Sequence, residues 1–337
     1  MQGGCEAPLF FKMNQEERKK ANKQDSNDCK RTTIGGQALI EGLLMLGPQK
    51  QAIALRQPDG EISVTVKDRG QAGKINLPLV RGVVRLVTQM KTGIGALTFS
   101  ADQAVAQEEE GQEKSALDRF SDRHPNLILG ITLFISLGLS VILFILLPSA
   151  LTDLIRRLTG FGLGEVRGAA VFALSILEGV TRILLFLLYL WLTSRSSEIK
   201  RVWMYHGAEH KTIACYEAGL PLTVDNAKEQ SRLHPRCGTS FLFLVMILSI
   251  LIFSIVGRYS TWLNLLLRLA LLPLVAGLAY EVIRFAGSRD NRLTRALSRP
   301  GLALQRLTTA EPDEPILEVA IEAMKAVIPD NPDDDNW

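Results

Sequence analysis

Four long apolar stretches dominate the hydrophobic pattern of this chain, and they predict helices that cross a membrane. They cover residues 126–147, 167–192, 238–257 and 262–287. A helix needs about 20 mostly apolar residues to cross the hydrocarbon core of a bilayer, and stretches this apolar are rarely core helices of soluble proteins. The pattern therefore predicts a multi-pass membrane protein with four spans.

Charged residues inside two of these stretches are expected to have partners, because a charge within a membrane is costly unless it is paired or faces a polar cavity. Glu178 and Arg182 lie four residues apart and so share one face of a helix. An ion pair that fixes helix packing and a functional pair both stay open. Arg268 lies near the outer end of the fourth stretch, where its side chain is predicted to extend to the membrane surface.

Residues ahead of the first stretch follow patterns typical of soluble structure. Residues 51–56 and 61–67 alternate between apolar and polar positions around a Pro-Asp-Gly turn, which predicts a β-hairpin. Residues 77–100 predict a basic amphipathic helix that lies on the membrane surface or packs on the hairpin. Two strands alone are marginally stable, so the hairpin must pack on another element.

Two shorter segments complete the pattern. Residues 34–48 are apolar and rich in glycine, which predicts turns or close backbone contacts around Glu41. Glu41 is either a surface carboxylate or a buried or interfacial acid near a functional site. Residues 313–327 predict a short amphipathic helix with a proline in its first turn.

Lysine and arginine are unevenly distributed between the two sides of the predicted membrane. The segment between the second and third stretches and the segment after the fourth are rich in both, whereas the two opposite loops carry few. Cytoplasmic loops carry the excess of positive charge. Both termini and the segment 193–237 are therefore predicted to face the cytoplasm.

The predicted fold is mostly α-helical: a four-span membrane bundle with a small N-terminal α+β cytoplasmic region made of the hairpin and the amphipathic helix. Four regions follow along the chain. They are a disordered polar tail at 1–31, a cytoplasmic or interfacial region at 32–125, a membrane domain at 126–287 that contains the cytoplasmic segment 193–237, and a cytoplasmic tail at 288–337.

The candidate chemistry lies in the segment 193–237. His206, Glu209 and His210 fit the pattern H-x-x-E-H, and on a helix they share one face. Two imidazoles on one face bind a single metal ion, and a carboxylate beside them deprotonates or orients a bound water. A polar helix whose histidines bind backbone or lipid headgroups is the alternative reading.

Further ligands are available nearby. His234 and Cys237 form a second pair three residues apart, and imidazole with thiolate suits zinc. Glu281 lies about one and a half turns from the cytoplasmic end of the fourth stretch, where it could complete the metal site. The sequence thus predicts a zinc site, with another divalent metal left open.

Composition limits the function classes. The net charge is only +3, and no nucleic-acid-binding signature is present, so nucleic acid is not an expected partner. The four cysteines form no disulfide framework and fit a reducing compartment. The expected partner is the lipid bilayer, and the oligomeric state stays open.

Several motifs in order resemble a known family, the YqhQ-like membrane proteins, a family of unknown function whose members are often labelled metal-dependent enzymes. Leu46 stands where the family usually has a basic residue before Gly-Pro. The resemblance spans about residues 32–328 and implies a membrane topology and a metal, but no reaction. The motifs are GGQALIEGLLMLGP (35–48), RGVVRL (81–86), YHGAEHKTIACYE (205–217), LHPRCGTSF (233–241), AGLAYEVIRFAG (276–287) and LQRLTTAEPDEPILEVAIEAM (304–324).

Two functions from different classes stay open. One is a metal-dependent hydrolase at the cytoplasmic face, with Glu209 as general base and a membrane-protein segment or a lipid headgroup as substrate. The other is a non-enzymatic assembly or scaffold protein in which a metal clamps the segment 193–237. Three protein ligands with a water favour catalysis, whereas four protein ligands favour a structural clamp.

Overall fold

The computed structural model describes residues 31–69, 77–108, 123–160, 169–256, 261–288, 292–331 and 333–335. The chain divides into two compact units. The first comprises Met1–Val105, Ser194–Phe243 and Tyr280–Trp337, and the second comprises Ala106–Thr193 and Leu244–Ala279. Residues 1–30 of the predicted disordered tail lie outside the described residues. So do residues 109–122, ahead of the first apolar stretch.

A four-stranded antiparallel sheet opens the first unit. Its strands pair in the order β1 (Gly35–Leu39), β2 (Gly42–Leu46), β3 (Lys50–Arg56) and β4 (Ile62–Asp68). The predicted hairpin is confirmed as β3 and β4, which extends the sheet beside β2 and contacts α10. Residues 34–48, for which the sequence predicts turns or close backbone contacts, form a second hairpin, β1 and β2, with its turn at residues 40–41. Every residue of β2 is buried, so this strand shows no alternation of apolar and polar positions.

Helices make up most of the remaining described chain. They are α1 (Val80–Glu108), α2 (Pro125–Val141), a π-helical turn (Ile142–Leu146), α3 (Leu147–Thr159), α4 (Ala169–Thr193), α5 (Ser197–Glu217), α6 (Val224–Lys228), α7 (Gly238–Val256), α8 (Thr261–Ser288), α9 (Arg292–Thr308) and α10 (Glu314–Lys325). The predicted helices at 77–100 and 313–327 are confirmed as α1 and α10.

The core of the first unit lies on one face of the sheet. Helix α5 contacts β1 and β2, and α10 contacts β2, β3 and α5. Leu43, Met45, Tyr205, Leu317 and Met324 meet there and are fully buried. Asp313 caps α10 by accepting a hydrogen bond from the backbone N–H of Ile316 at 3.0 Å, which starts the helix at the residue that the sequence indicates.

The opposite face of the sheet packs on α1. Leu39, Leu44, Ile53 and Leu55 of the sheet form a second buried cluster with Ala96 of α1. The amphipathic helix therefore packs on the sheet at Ala96, which agrees with one of the two compatible readings of its sequence. Several of its other apolar side chains, among them Val87 and Met90, are exposed.

Four helices are long and apolar enough to cross a membrane by length and composition. They are Leu127–Thr159, Phe172–Thr193, Gly238–Val256 and Trp262–Ala286. They fall on the four predicted stretches and suggest a membrane protein. The helix after the second stretch breaks at residues 194–196 before α5 begins.

One prediction for these helices is wrong. The Arg268 side chain does not extend away from its helix but pairs with Glu178 at 2.5 Å, and it also donates to Ser149 at 2.9 Å. Arg182 shares the same carboxylate at 3.3 Å and donates to the Phe144 carbonyl inside the π-helical turn at 2.9 Å. The Glu178 carboxylate is within reach of Arg268 among the apolar helices. Arg268 pairs with it because a paired buried charge costs less than an unpaired one.

Two helical glycines provide a test of the packing around α5. A Cβ at Gly207 would lie 2.1 Å from the Ala310 carbonyl oxygen, whereas a Cβ at Gly95 of α1 would meet no atom within 4 Å. We expect Gly207→Ala to destabilise the fold by about 1–3 kcal/mol through overpacking. Gly95→Ala is expected to be neutral or stabilising by up to about 1 kcal/mol, since alanine favours helix. Thermal unfolding midpoints in detergent distinguish these results, and equal midpoints for the two variants would contradict the packing described.

Candidate metal centre

Three potential metal ligands converge inside the first unit. His206 and His210 project from α5, and Cys237 directly precedes α7. The ligand atoms of these residues all lie within 4.8 Å of one another. The His206 Nε2 is 3.2 Å from the Cys237 Sγ, and the two imidazole centroids are 4.5 Å apart. The cluster therefore combines two imidazoles and a thiol at one point.

Backbone carbonyls orient both rings. His206 Nδ1 lies 2.7 Å from the Thr308 oxygen, and His210 Nδ1 lies 2.6 Å from the Arg232 oxygen. A carbonyl oxygen only accepts, so each Nδ1 carries a hydrogen and directs its Nε2 toward the cluster. His210 Nε2 is buried, with no hydrogen-bond partner among the described residues. Metal-binding histidines show this arrangement, with one ring nitrogen held by the protein and the other left for the ion.

The two histidines favour the thiolate form of Cys237, which is the form that binds metals. Burial alone would raise its pKa, but the neighbouring His210 and His206 hold the pKa of Cys237 well below its usual range. Burial likewise opposes the charged form of His206, yet the hydrogen bond and charge of Cys237 raise the pKa of His206 to about 9. Each group thus favours the charged form of the other, and a metal ion bound to the thiolate would take the place of the imidazolium proton.

Glu209 lies beside this cluster and is buried on the same helix. Burial raises the pKa of its carboxyl group, while His206 and His210 act in the opposite direction. The backbone N–H of Gly36 hydrogen-bonds to the carboxylate, and a Cβ at Gly36 would lie 3.1 Å from the carboxyl carbon. The glycine-rich segment thus provides a close backbone contact, as the sequence predicts, and that contact is with Glu209.

His234 lies next to the cluster but points its Nε2 elsewhere. That nitrogen is 3.3 Å from Glu217 Oε2, and the ring centroid is 5.7 Å from that of His210. Gln305 holds the backbone of His234 at both its N–H (2.8 Å) and its carbonyl (2.7 Å). Burial lowers the pKa of His234, although Glu217 acts in the opposite direction. His234 is therefore outside the group of converging ligand atoms.

Glu281, also predicted as a ligand, is engaged elsewhere in the first unit. Arg81 donates to both of its carboxylate oxygens, with Nε at 2.7 Å from Oε1, and the backbone N–H of Leu79 donates at 3.2 Å. It is outside the converging group.

Glu41 forms a half-exposed ion pair with Arg201 of α5, with Nη2 at 2.6 Å from Oε2. The Tyr205 hydroxyl lies 3.5 Å from the same oxygen. Glu41 therefore supports the helix that carries the cluster, and it is not one of the three converging ligands.

Some groups at the site have no signature in the sequence. The carbonyls of Thr308 and Arg232 are backbone groups, which any residue supplies. Lys211 is buried, and its ammonium group contacts the carbonyls of Lys228 and Gln230 at 2.8 Å each and the Glu311 carboxylate at 2.5 Å. These bonds fasten the loop that carries the Arg232 carbonyl to α5.

The fold and the cluster together define a class: a mostly helical protein with four long apolar helices and a buried His-His-Cys group. The chain belongs to the family described as a protein of unknown function (DUF1385), whose model matches residues 77–330. It is 33% identical over 307 residues to the uncharacterized protein YqhQ of Bacillus subtilis (strain 168), covering 87% of this chain and 92% of that relative. No solved structure matches. The resemblance to the YqhQ-like family is thereby confirmed.

We expect the converging group to bind zinc, and this expectation predicts which substitutions would remove the ion. We expect His206→Ala, His210→Ala and Cys237→Ser each to reduce bound zinc to below about a tenth of the wild-type content, because each removes one of three ligands. Glu281→Gln should keep the wild-type content, since its carboxylate binds Arg81. Metal analysis of purified protein, with circular dichroism to establish folding, is the measurement. Full zinc in Cys237→Ser, or loss of zinc in Glu281→Gln, would contradict this ligand set.

Proposed function

We propose that this chain is an integral membrane protein that binds zinc through His206, His210 and Cys237 and hydrolyses a substrate at the cytoplasmic face of the membrane. The observation that carries the proposal is the convergence of these three ligand atoms within 4.8 Å, with the buried carboxylate of Glu209 beside them. Three protein ligands leave a fourth tetrahedral position for water or substrate.

The donor set fits zinc. Two imidazoles whose Nε2 atoms face the cluster and a thiolate are ligands that zinc prefers, and the His210 Nε2, which has no partner among the described residues, is a buried acceptor that an ion would satisfy. Zinc bound there would supply a Lewis acid that activates water and polarises the bond under attack. The carbonyls of Thr308 and Arg232 would keep the two rings in place throughout the reaction.

Glu209 is the proposed general base. Its carboxylate would accept a proton from the attacking water and deliver that proton to the leaving group. A pKa raised by burial suits this role, because a stronger base accepts a proton more readily. The backbone of Gly36 lies against the carboxyl group and favours its ionised form.

Chain connectivity supports a site at the membrane boundary. Cys237 directly precedes Gly238, the first residue of an apolar helix long enough to cross a bilayer. Lysine and arginine are concentrated in residues 193–237 and after residue 287, which favours the cytoplasmic side. The substrate would be a lipid headgroup or a membrane-protein segment at that boundary.

The scaffold alternative requires a fourth protein ligand. His234 is the nearest candidate, and it would have to leave Glu217 to join the cluster. The three-membered group therefore favours the hydrolase, and a metal that only clamps the loop would make Glu209 dispensable.

Incorporation of ¹⁸O tests hydrolysis even when the substrate is unidentified, since hydrolysis of any bond transfers oxygen from water to a product. Zinc-loaded protein in nanodiscs is incubated in H₂¹⁸O with membrane lipids or membrane peptides, and the products are analysed by mass spectrometry. We expect Glu209→Gln to retain zinc and to lose activity by about 100-fold or more, because the base is absent.

Glu198 provides the matched control, since it is an exposed glutamate in the first turn of the same helix. Glu198→Gln should leave both zinc content and ¹⁸O incorporation unchanged. The proposed hydrolase would be excluded if Glu209→Gln incorporated ¹⁸O as the wild type does. It would also be excluded if the wild type still incorporated ¹⁸O after zinc removal.

A further inference from the structure

We propose that α9, Arg292–Thr308, lies in the headgroup layer of the membrane and binds acidic phospholipids through its arginines. This inference rests on the membrane-spanning part of the proposed function, and it does not depend on zinc or on hydrolysis. Three observations carry it: the position of α9 in the chain, its exposed apolar face and its charge.

The position of α9 follows from a short connection. Helix α8 ends at Ser288 and α9 begins at Arg292. The intervening residues can bridge at most about 14 Å from helix end to helix start, since an extended chain spans ~3.3–3.6 Å per residue. The apolar helix Trp262–Ala286 ends just before this connection. If that helix crosses the membrane, the start of α9 must lie close to the surface where it emerges.

The first half of α9 presents apolar side chains that the first unit does not cover. Leu293 is 59% exposed and Leu297 is 42% exposed, and being four residues apart they share one face of the helix. Thr294 is buried on a neighbouring face of the same turn, and Leu304 and Gln305 are buried in the second half of the helix. An apolar face on a basic helix beside a membrane surface is the signature of an interfacial helix.

The charge of α9 selects the lipid. The helix contains four arginines and no acidic residue, which gives it a charge of +4 in 17 residues. Arg292, Arg299 and Arg306 are exposed. Clusters of basic residues at the cytoplasmic surface attract anionic lipids, and guanidinium groups bind phosphate oxygens in a bidentate manner.

A lipid-bound α9 would hold the metal centre at the level of the headgroups. The same helix carries Gln305, which binds the backbone of His234, and Thr308, whose carbonyl holds the His206 ring. Its first half would lie on lipid while its second half forms one side of the cluster. The proposal therefore favours a substrate that is presented in the headgroup layer.

Photo-crosslinking in nanodiscs of equimolar phosphatidylglycerol and phosphatidylcholine tests the proposal. Leu297 of the full chain is replaced by p-benzoylphenylalanine, and lipid adducts are identified by mass spectrometry after illumination. We expect adducts in which phosphatidylglycerol exceeds phosphatidylcholine by at least about threefold. The double substitution Arg292→Gln/Arg299→Gln should bring this ratio close to one.

Two further positions serve as controls. Leu242 is 50% exposed within an apolar helix, and the probe there should give lipid adducts without a preference for charge. Glu322 is exposed on α10, and the probe there should give none. Lipid adducts at Leu242 but not at Leu297, or an equal lipid ratio at both, would overturn the proposal. Absence of adducts at Leu242 as well would instead overturn the membrane assignment on which it rests.

Discussion

The burial of a polar helix is the constraint on which the rest of the first unit depends. Residues 205–213 of α5 are buried as a continuous run, although they include two histidines, a glutamate and a lysine. Buried polar groups must find hydrogen-bond partners, because each unsatisfied group costs about 1–3 kcal/mol. The Thr308 and Arg232 carbonyls, the Gly36 N–H and the loop fastened by Lys211 provide those partners. The sheet, the loop after α5 and the end of α9 are thus all held against one helix.

The same constraint indicates a metal. His210 Nε2 is a buried ring nitrogen without a partner among the described residues, and it faces a thiol whose pKa is well below its usual range. A polar atom this buried would be expected to have a ligand. A cation at the cluster would satisfy His210 and neutralise the Cys237 thiolate in one step. A metal ion at the cluster would therefore supply the partner that His210 Nε2 lacks among the described residues.

Sequence patterns predicted the elements with strong periodicity or length, and they failed where burial removed the pattern. The apolar helices, the hairpin β3–β4 and α10 follow from regular spacing and a capping residue. Strand β2 is buried throughout, so its sequence GLLML lacks the alternation of apolar and polar residues that identifies a half-buried strand. The spacing of H-x-x-E-H correctly placed three side chains on one helix. It could not show that His234 contacts Glu217 or that Glu281 contacts Arg81, since these pairs depend on tertiary packing.

The ligand environment of bound zinc is the most direct test of this account. X-ray absorption at the zinc edge of the loaded protein should show one sulfur at about 2.3 Å, with nitrogen or oxygen ligands at about 2.0–2.1 Å. The sulfur contribution should disappear in Cys237→Ser, because Cys237 supplies it. A zinc spectrum without sulfur, or one that Cys237→Ser leaves unchanged, would show that the metal binds elsewhere and would contradict the His206, His210 and Cys237 centre.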